Sequence, residues 1–111
     1  MREPTADNDW ALQREAVASV LTAVMSRGCE PYELQYEPGE KERCSHTIKG
    51  LVREIFATEV TWVFFERDNQ HVGKIMFTPY EHPGEVVCDY GAPSENFFWN
   101  TLDKWGEYCG Y

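Results

Sequence analysis

Residues 59–90, EVTWVFFERDNQHVGKIMFTPYEHPGEVVCDY, contain three short runs rich in β-branched and aromatic residues. Asp68-Asn69-Gln70 separates the first run (60–65) from the second (72–78), and His82-Pro83-Gly84 separates the second from the third (86–90). That arrangement predicts a three-stranded antiparallel meander. A meander needs a covering layer to be stable, so the remaining segments are placed by asking which of them cover it.

Because side chains alternate across a strand, a one-residue slip flips a whole strand to the other face. With a two-residue first loop, Val60, Trp62 and Phe64 share a face with Ile75 and Phe77, and a four-residue loop at 81–84 carries that face on to Val86, Cys88 and Tyr90. This register is favoured over a three-residue first loop, which sets Lys74 beside Phe64. Gly73 then leaves room for the Phe64 ring or for a covering helix. The opposite face carries Thr61, Val63, Phe65, Val72, Lys74, Met76, Thr78, Val87 and Asp89. It is too apolar for plain solvent and too polar for a clean core, which suits a covering helix, a second copy of the chain, or a partner.

The flanking segments read as helices and one further strand. A helix capped by Asp7 or Asp9 and ended by Gly28 carries Trp10, Val17, Leu21, Val24 and Met25 on one side, widened by Ala16, Val20 and Ala23. Residues 1–8 are polar and expected to be disordered. Around 32–37, Tyr32, Leu34 and Tyr36 alternate with Glu33, Gln35 and Glu37 between Pro31 and Pro38, the pattern of an edge strand with an acidic or amide outer side. Ser45 or Thr47 caps a second helix with Ile48, Leu51, Val52, Ile55 and Phe56 at helical spacing. Its neighbours Lys41, Arg43, Lys49 and Arg53 form the one locally basic segment, read as a solvated face. After Gly91-Ala92-Pro93, Ser94 caps a last helix with Phe98, Leu102, Trp105 and Cys109 as its buried stripe. The expected fold is a single α+β two-layer domain over 1–111, an antiparallel sheet of about four strands packed with three helices in the order αβαβββα.

With 111 residues, 42% of them hydrophobic, the chain can bury one core. Its formal net charge of −9 argues against direct contact with a phosphate backbone, which needs clustered Lys and Arg. The charge suits a basic protein partner instead. From Ile75 onward six acids face Lys104 alone. No stretch approaches the roughly 18 apolar residues of a membrane span, and the N-terminus lacks a signal-peptide plan, so a cytoplasmic location is expected.

Signs of catalysis are sparse. Cys29, Cys44, Cys88 and Cys109 lack any C-x-x-C spacing and read as small buried hydrophobes. A zinc site would have to combine Cys44 and His46 with His82 and Cys88, at spacings unlike a finger. Cys44, at a helix start, is the position where a thiol pKa can be lowered, but Cys44, Ser45 and His46 are chain neighbours and poorly placed to act on one another. No phosphate loop, H-E-x-x-H or G-x-S-x-G pattern occurs. No cofactor and no enzymatic activity are expected.

The function expected from these features is a small acidic inhibitor of a basic, nucleic-acid-handling protein such as a nuclease or toxin. It would act by occlusion or nucleic-acid mimicry, in the general manner of immunity proteins and phage anti-defence proteins. Val63, Phe65, Met76, Trp99 and Tyr108 are the expected apolar contacts, and Glu85, Asp89, Glu95 and Asp103 the charged ones. Two alternatives are an assembly subunit with a homo-oligomeric sheet-face interface, and a small-ligand or metal-binding enzyme domain around His46, His71 or His82.

Overall fold

A computed structural model describes residues 6–37, 39–79, 87–91, 98 and 100–103, with the side chains of 6–10 and 87–90 outside that description. The elements are α1 (Ala6–Met25), β1 (Glu30–Tyr36), β2 (Lys41–Glu42), α2 (Ile48–Ile55), β3 (Thr61–Arg67), β4 (Gln70–Phe77) and β5 (Val87–Gly91), followed by helical residues at 98 and 100–103. The fold is α+β, as expected. The sheet is antiparallel throughout, in the order β2-β1-β3-β4-β5.

α1 begins at Ala6, so 6–8 belong to the helix rather than to a disordered tail. Beyond its last residue, Met25, Gly28 has a φ of 86°, which lets Cys29 N–H reach back to the Val24 carbonyl at 3.3 Å and close the last turn. Thr47 caps α2 by accepting from Gly50 N–H at 3.1 Å. The 32–37 run joins the meander through β3, and it is not the edge: the two-residue β2 pairs outside it, Leu34 with Glu42 and Gln35 with Lys41.

The phase of β3 corrects the expected register. Asp68 and Asn69 both have positive φ, 54° and 64°, and form the expected two-residue turn of the primed kind that matches strand twist. Just beyond it, Glu66 pairs with His71 and Phe65 pairs with Gly73, so Val72 is an extra residue in β4. This bulge advances β4 by one position, and Phe64 pairs with Lys74, the juxtaposition the expected register avoids. Thr61, Val63, Phe65, Ile75 and Phe77 therefore share one face, all fully buried. Trp62, Phe64, Lys74 and Met76 share the other. A second irregularity between β4 and β5 leaves Cys88 without a ladder partner, with Asp89 opposite Met76 and Tyr90 opposite Ile75.

The inner face is covered by Val17, Val20, Leu21 and Val24 of α1, Leu51 and Ile55 of α2, and Phe98 and Leu102. Gly73 sits opposite Phe65 and admits the Phe98 ring, which lies where a Cβ at position 73 would project. The Phe65 and Phe98 centroids are 5.7 Å apart and tilted by 46°, a favoured aromatic geometry. Among the described residues no helix is long and apolar enough to cross a membrane.

Candidate partner-binding face

The outer sheet face is lined by aromatic side chains held by polar neighbours. β1 brings Tyr32 there through a bulge of its own. Pro31 pairs with Phe65 and Glu33 with Phe64, so Tyr32 is the extra residue and leaves the inner side, where Leu34 and Tyr36 remain. Its ring lies 6.4 Å from that of Phe64 and 6.0 Å, edge-on, from that of His71. Phe64 and His71 close the triangle at 6.2 Å. Lys41, delivered by β2, places its Nζ 4.5 Å from the Phe64 ring centroid. Phe64 is thus only 7% exposed although no described helix covers it.

Trp62 is held in the same manner. Lys74 Nζ stands 4.5 Å from its ring centroid, and its Nε1–H donates to Glu37 Oε1 at 2.8 Å. Each ammonium sits on a ring face, where the quadrupole is negative, and the carboxylate meets the indole edge, where the donor is.

The Tyr32 hydroxyl and His71 Nδ1 are 2.8 Å apart. Partial burial, then the charges of Lys41 and Lys74, lower the His71 pKa below its ordinary value of 6.5, although the residue as a whole is exposed. Burial, then Glu33 and Glu66, raise the Tyr32 phenol. With a neutral imidazole and a protonated phenol, the contact is made either by the Tyr32 hydroxyl donating to Nδ1 or by Nδ1–H donating to the hydroxyl oxygen, according to the tautomer.

Three carboxylates flank this corner. Glu30 and Glu66 occupy directly opposed ladder positions, an arrangement of like charges that destabilises a sheet. Glu33 lies on the same strand as Glu30, and both Glu33 and Glu66 are close enough to act on Tyr32.

The expected contact residues divide unevenly over this geometry. Val63 and Phe65 are corrected: both are fully buried in the core, because the Val72 bulge turns them inward. Met76 is on the outer face and half-buried. Asp89 is opposite Met76 in the ladder, but its side chain lies outside the described residues. Asp103 is exposed on the helical segment at 100–103. Glu85, Glu95, Trp99 and Tyr108 lie outside the described residues. Tyr32, Trp62, Phe64 and His71, which line the outer face, are not among the expected contacts. The signal for Trp62 and Phe64 was weak because β3 is apolar at both phases, and for Tyr32 only the preceding Pro31 hinted at a break in alternation.

The cysteine and histidine alternatives also change. Burial, then the nearby Glu54 carboxylate, push the Cys44 thiol up to about 11, so it is protonated at neutral pH and unsuited to attack. Glu54 Oε1 accepts instead from Ser45 N–H at 2.6 Å, pinning the loop ahead of α2. Among the described residues no three His, Cys, Asp or Glu side chains are grouped so as to hold a metal ion; His82 and Cys88 lie outside that search. Comparison with protein-family models, with curated proteins and with solved structures finds no match to this chain.

Proposed function

We propose that this protein binds a basic partner protein through its outer sheet face and inhibits it by occlusion, without catalysing a reaction itself. The observation that carries the reading is the corner formed by Glu30, Glu33 and Glu66 around the Tyr32–His71 pair. Two glutamates stand opposed in the ladder, a placement of like charges that a cation from a partner would favourably bridge.

The neighbouring rings extend the same chemistry. Phe64 and Trp62 already carry ammonium groups on their faces, so the surface is shaped to hold cations over aromatics. Lysine or arginine side chains of a partner can exchange with Lys41 and Lys74 on those rings while the carboxylates take up their charge. A target whose Arg/Lys-lined surface normally receives phosphates would find a comparable set of acceptors here, and its site would be blocked. The net charge of −9 adds long-range steering toward such a target. A cytoplasmic setting belongs to this reading.

The test is capture from cell lysate at low and high salt with the wild-type chain and with a Glu30→Gln/Glu33→Gln/Glu66→Gln variant of unchanged unfolding midpoint. The expected result is one basic protein retained by the wild type, released by salt and missed by the variant. Capture indifferent to both salt and the triple change would overturn the reading. A dimer mass in solution with no captured partner would reassign the outer face to contact between two copies of the chain.

A further inference from the structure

On the side of the molecule away from that face, α1 and α2 border a surface groove of about 570 Å³ lined by Arg14, Lys49, Val52, Arg53 and Phe56. Arg14, Lys49 and Arg53 are exposed at its rim. Val52 and Phe56 are half-buried, because they also pack against the core and leave only part of each side chain for the groove. Lys49 and Arg53 are four residues apart on α2 and so project from one side of it, a spacing at which like charges oppose helix formation. The Arg14 guanidinium is held 5.8 Å from the Phe56 ring centroid, which fixes the third cation against the apolar floor.

We propose that this groove is a second, independent binding site, for a short acidic peptide segment of a partner protein. An apolar side chain of the segment would rest on Val52 and Phe56, and flanking carboxylates would meet Arg14, Lys49 and Arg53. Charge complementarity selects the occupant. Three of the chain's ten Lys and Arg residues gather here in a protein of net charge −9, and arginine forks pair with carboxylates in bidentate geometry. The overall negative charge does not forbid this. At physiological ionic strength the Debye length is about 8 Å, so an anion in the groove responds more to the groups at its rim than to the net charge of the whole chain. Size points the same way. A helix of eight residues spans about 12 Å, and the groove volume lies within the roughly 300–1,000 Å³ range of small binding sites. It offers room for one anchoring side chain and its neighbours, not for a folded domain.

The experiment is an amide NMR titration of the full isotope-labelled chain with the capped peptide Glu-Glu-Leu-Phe-Glu-Glu, its counterpart with every Glu replaced by Gln, and benzoate. The acidic peptide should shift the amides around Arg14 and of 49–56, leave β3 and β4 unmoved, and bind at least tenfold more tightly than the amide peptide. Arg14→Gln with Arg53→Gln, or Lys49→Gln alone should the double variant lose its fold, should weaken the acidic peptide severalfold or more at an unchanged unfolding midpoint. The proposal is overturned by absence of binding, by equal binding of both peptides, by shifts confined to the sheet, or by binding insensitive to these variants. Benzoate binding as tightly as the peptide would also overturn it, marking a site for small organic anions.

Discussion

β3 sends Val63 and Phe65 to one side of the sheet and Trp62 and Phe64 to the other, with similar apolar content on both. On the inner side Phe65 is sealed at 0% exposure by Phe98 and the core, elements fixed by many other contacts. On the outer side Phe64 reaches 7% exposure under Lys41, Tyr32 and His71, side chains that are themselves half-buried or exposed. Burial of the two rings thus rests on different supports. The inner cover is part of the packed core, so removing a ring there leaves a cavity; the outer cover consists of half-buried and exposed side chains, which can collapse into the space a ring leaves.

The largest expected effect tests that difference. Phe65→Ala should cost about 3–5 kcal/mol in urea unfolding, by lost transfer energy plus a cavity that cannot close. Phe64→Ala should cost nearer 2 kcal/mol, the transfer term without a lasting cavity. Equal losses would break the contrast between the faces. Next, Gly73→Ala should destabilise by about 1–3 kcal/mol through overpacking against the Phe98 ring. If the variant proves as stable as the wild type, the helical segment at 98 and 100–103 is not rigidly seated on the sheet.

Smaller effects sharpen the picture of the outer face. Lys74→Gln should lose about 0.5–1 kcal/mol from the cation over Trp62, with a change in indole fluorescence as the ring is uncovered; an unchanged spectrum would mean that the ammonium does not sit there in solution. The smallest expected effect concerns pH. His71 is harder to protonate in the folded chain than in the unfolded one, so below its ordinary pKa of 6.5 the unfolded state binds more protons. Stability should therefore fall as pH drops from 6.5 through the lowered folded value, and rise again on return. Once the imidazole is protonated, Nδ1 can only donate, to the Tyr32 hydroxyl oxygen. His71→Gln should flatten the unfolding midpoint across that window, and a slope unchanged by the substitution would assign the dependence to other groups.

Much of the fold was legible because it rests on local chemistry. The α1 stripe Val17, Leu21 and Val24, the α2 stripe around Leu51 and Ile55, the Thr47 cap, the Gly28 stop and the Asp68-Asn69 turn all follow from periodicity or from residues that tolerate particular backbone angles. β4 was also readable, since Ile75 and Phe77 alternate cleanly with Lys74 and Met76. The candidate site was far less so. Met76 is the one expected contact that falls on the described outer face; the corner of Tyr32, His71, Glu30 and Glu66 joins residues up to 41 positions apart, and no local pattern marks it. The groove was hidden for the same reason. Lys49 and Arg53 read as a solvated face until α1 brings Arg14 beside them.

From the sequence alone come the α+β class, the elements that cover the meander and the acidic balance, because helix and strand periods, caps and turn residues act within a few positions of themselves. Only the tertiary structure decided which side of β3 faces the core. Both phases of that strand are apolar, and two bulges, at Tyr32 and Val72, set the phase by fitting Phe65 under Phe98 and Val63 against Ile75. A bulge is an extra residue absorbed to satisfy packing on another element, so its position is settled by contacts between distant segments and not by the strand in which it lies.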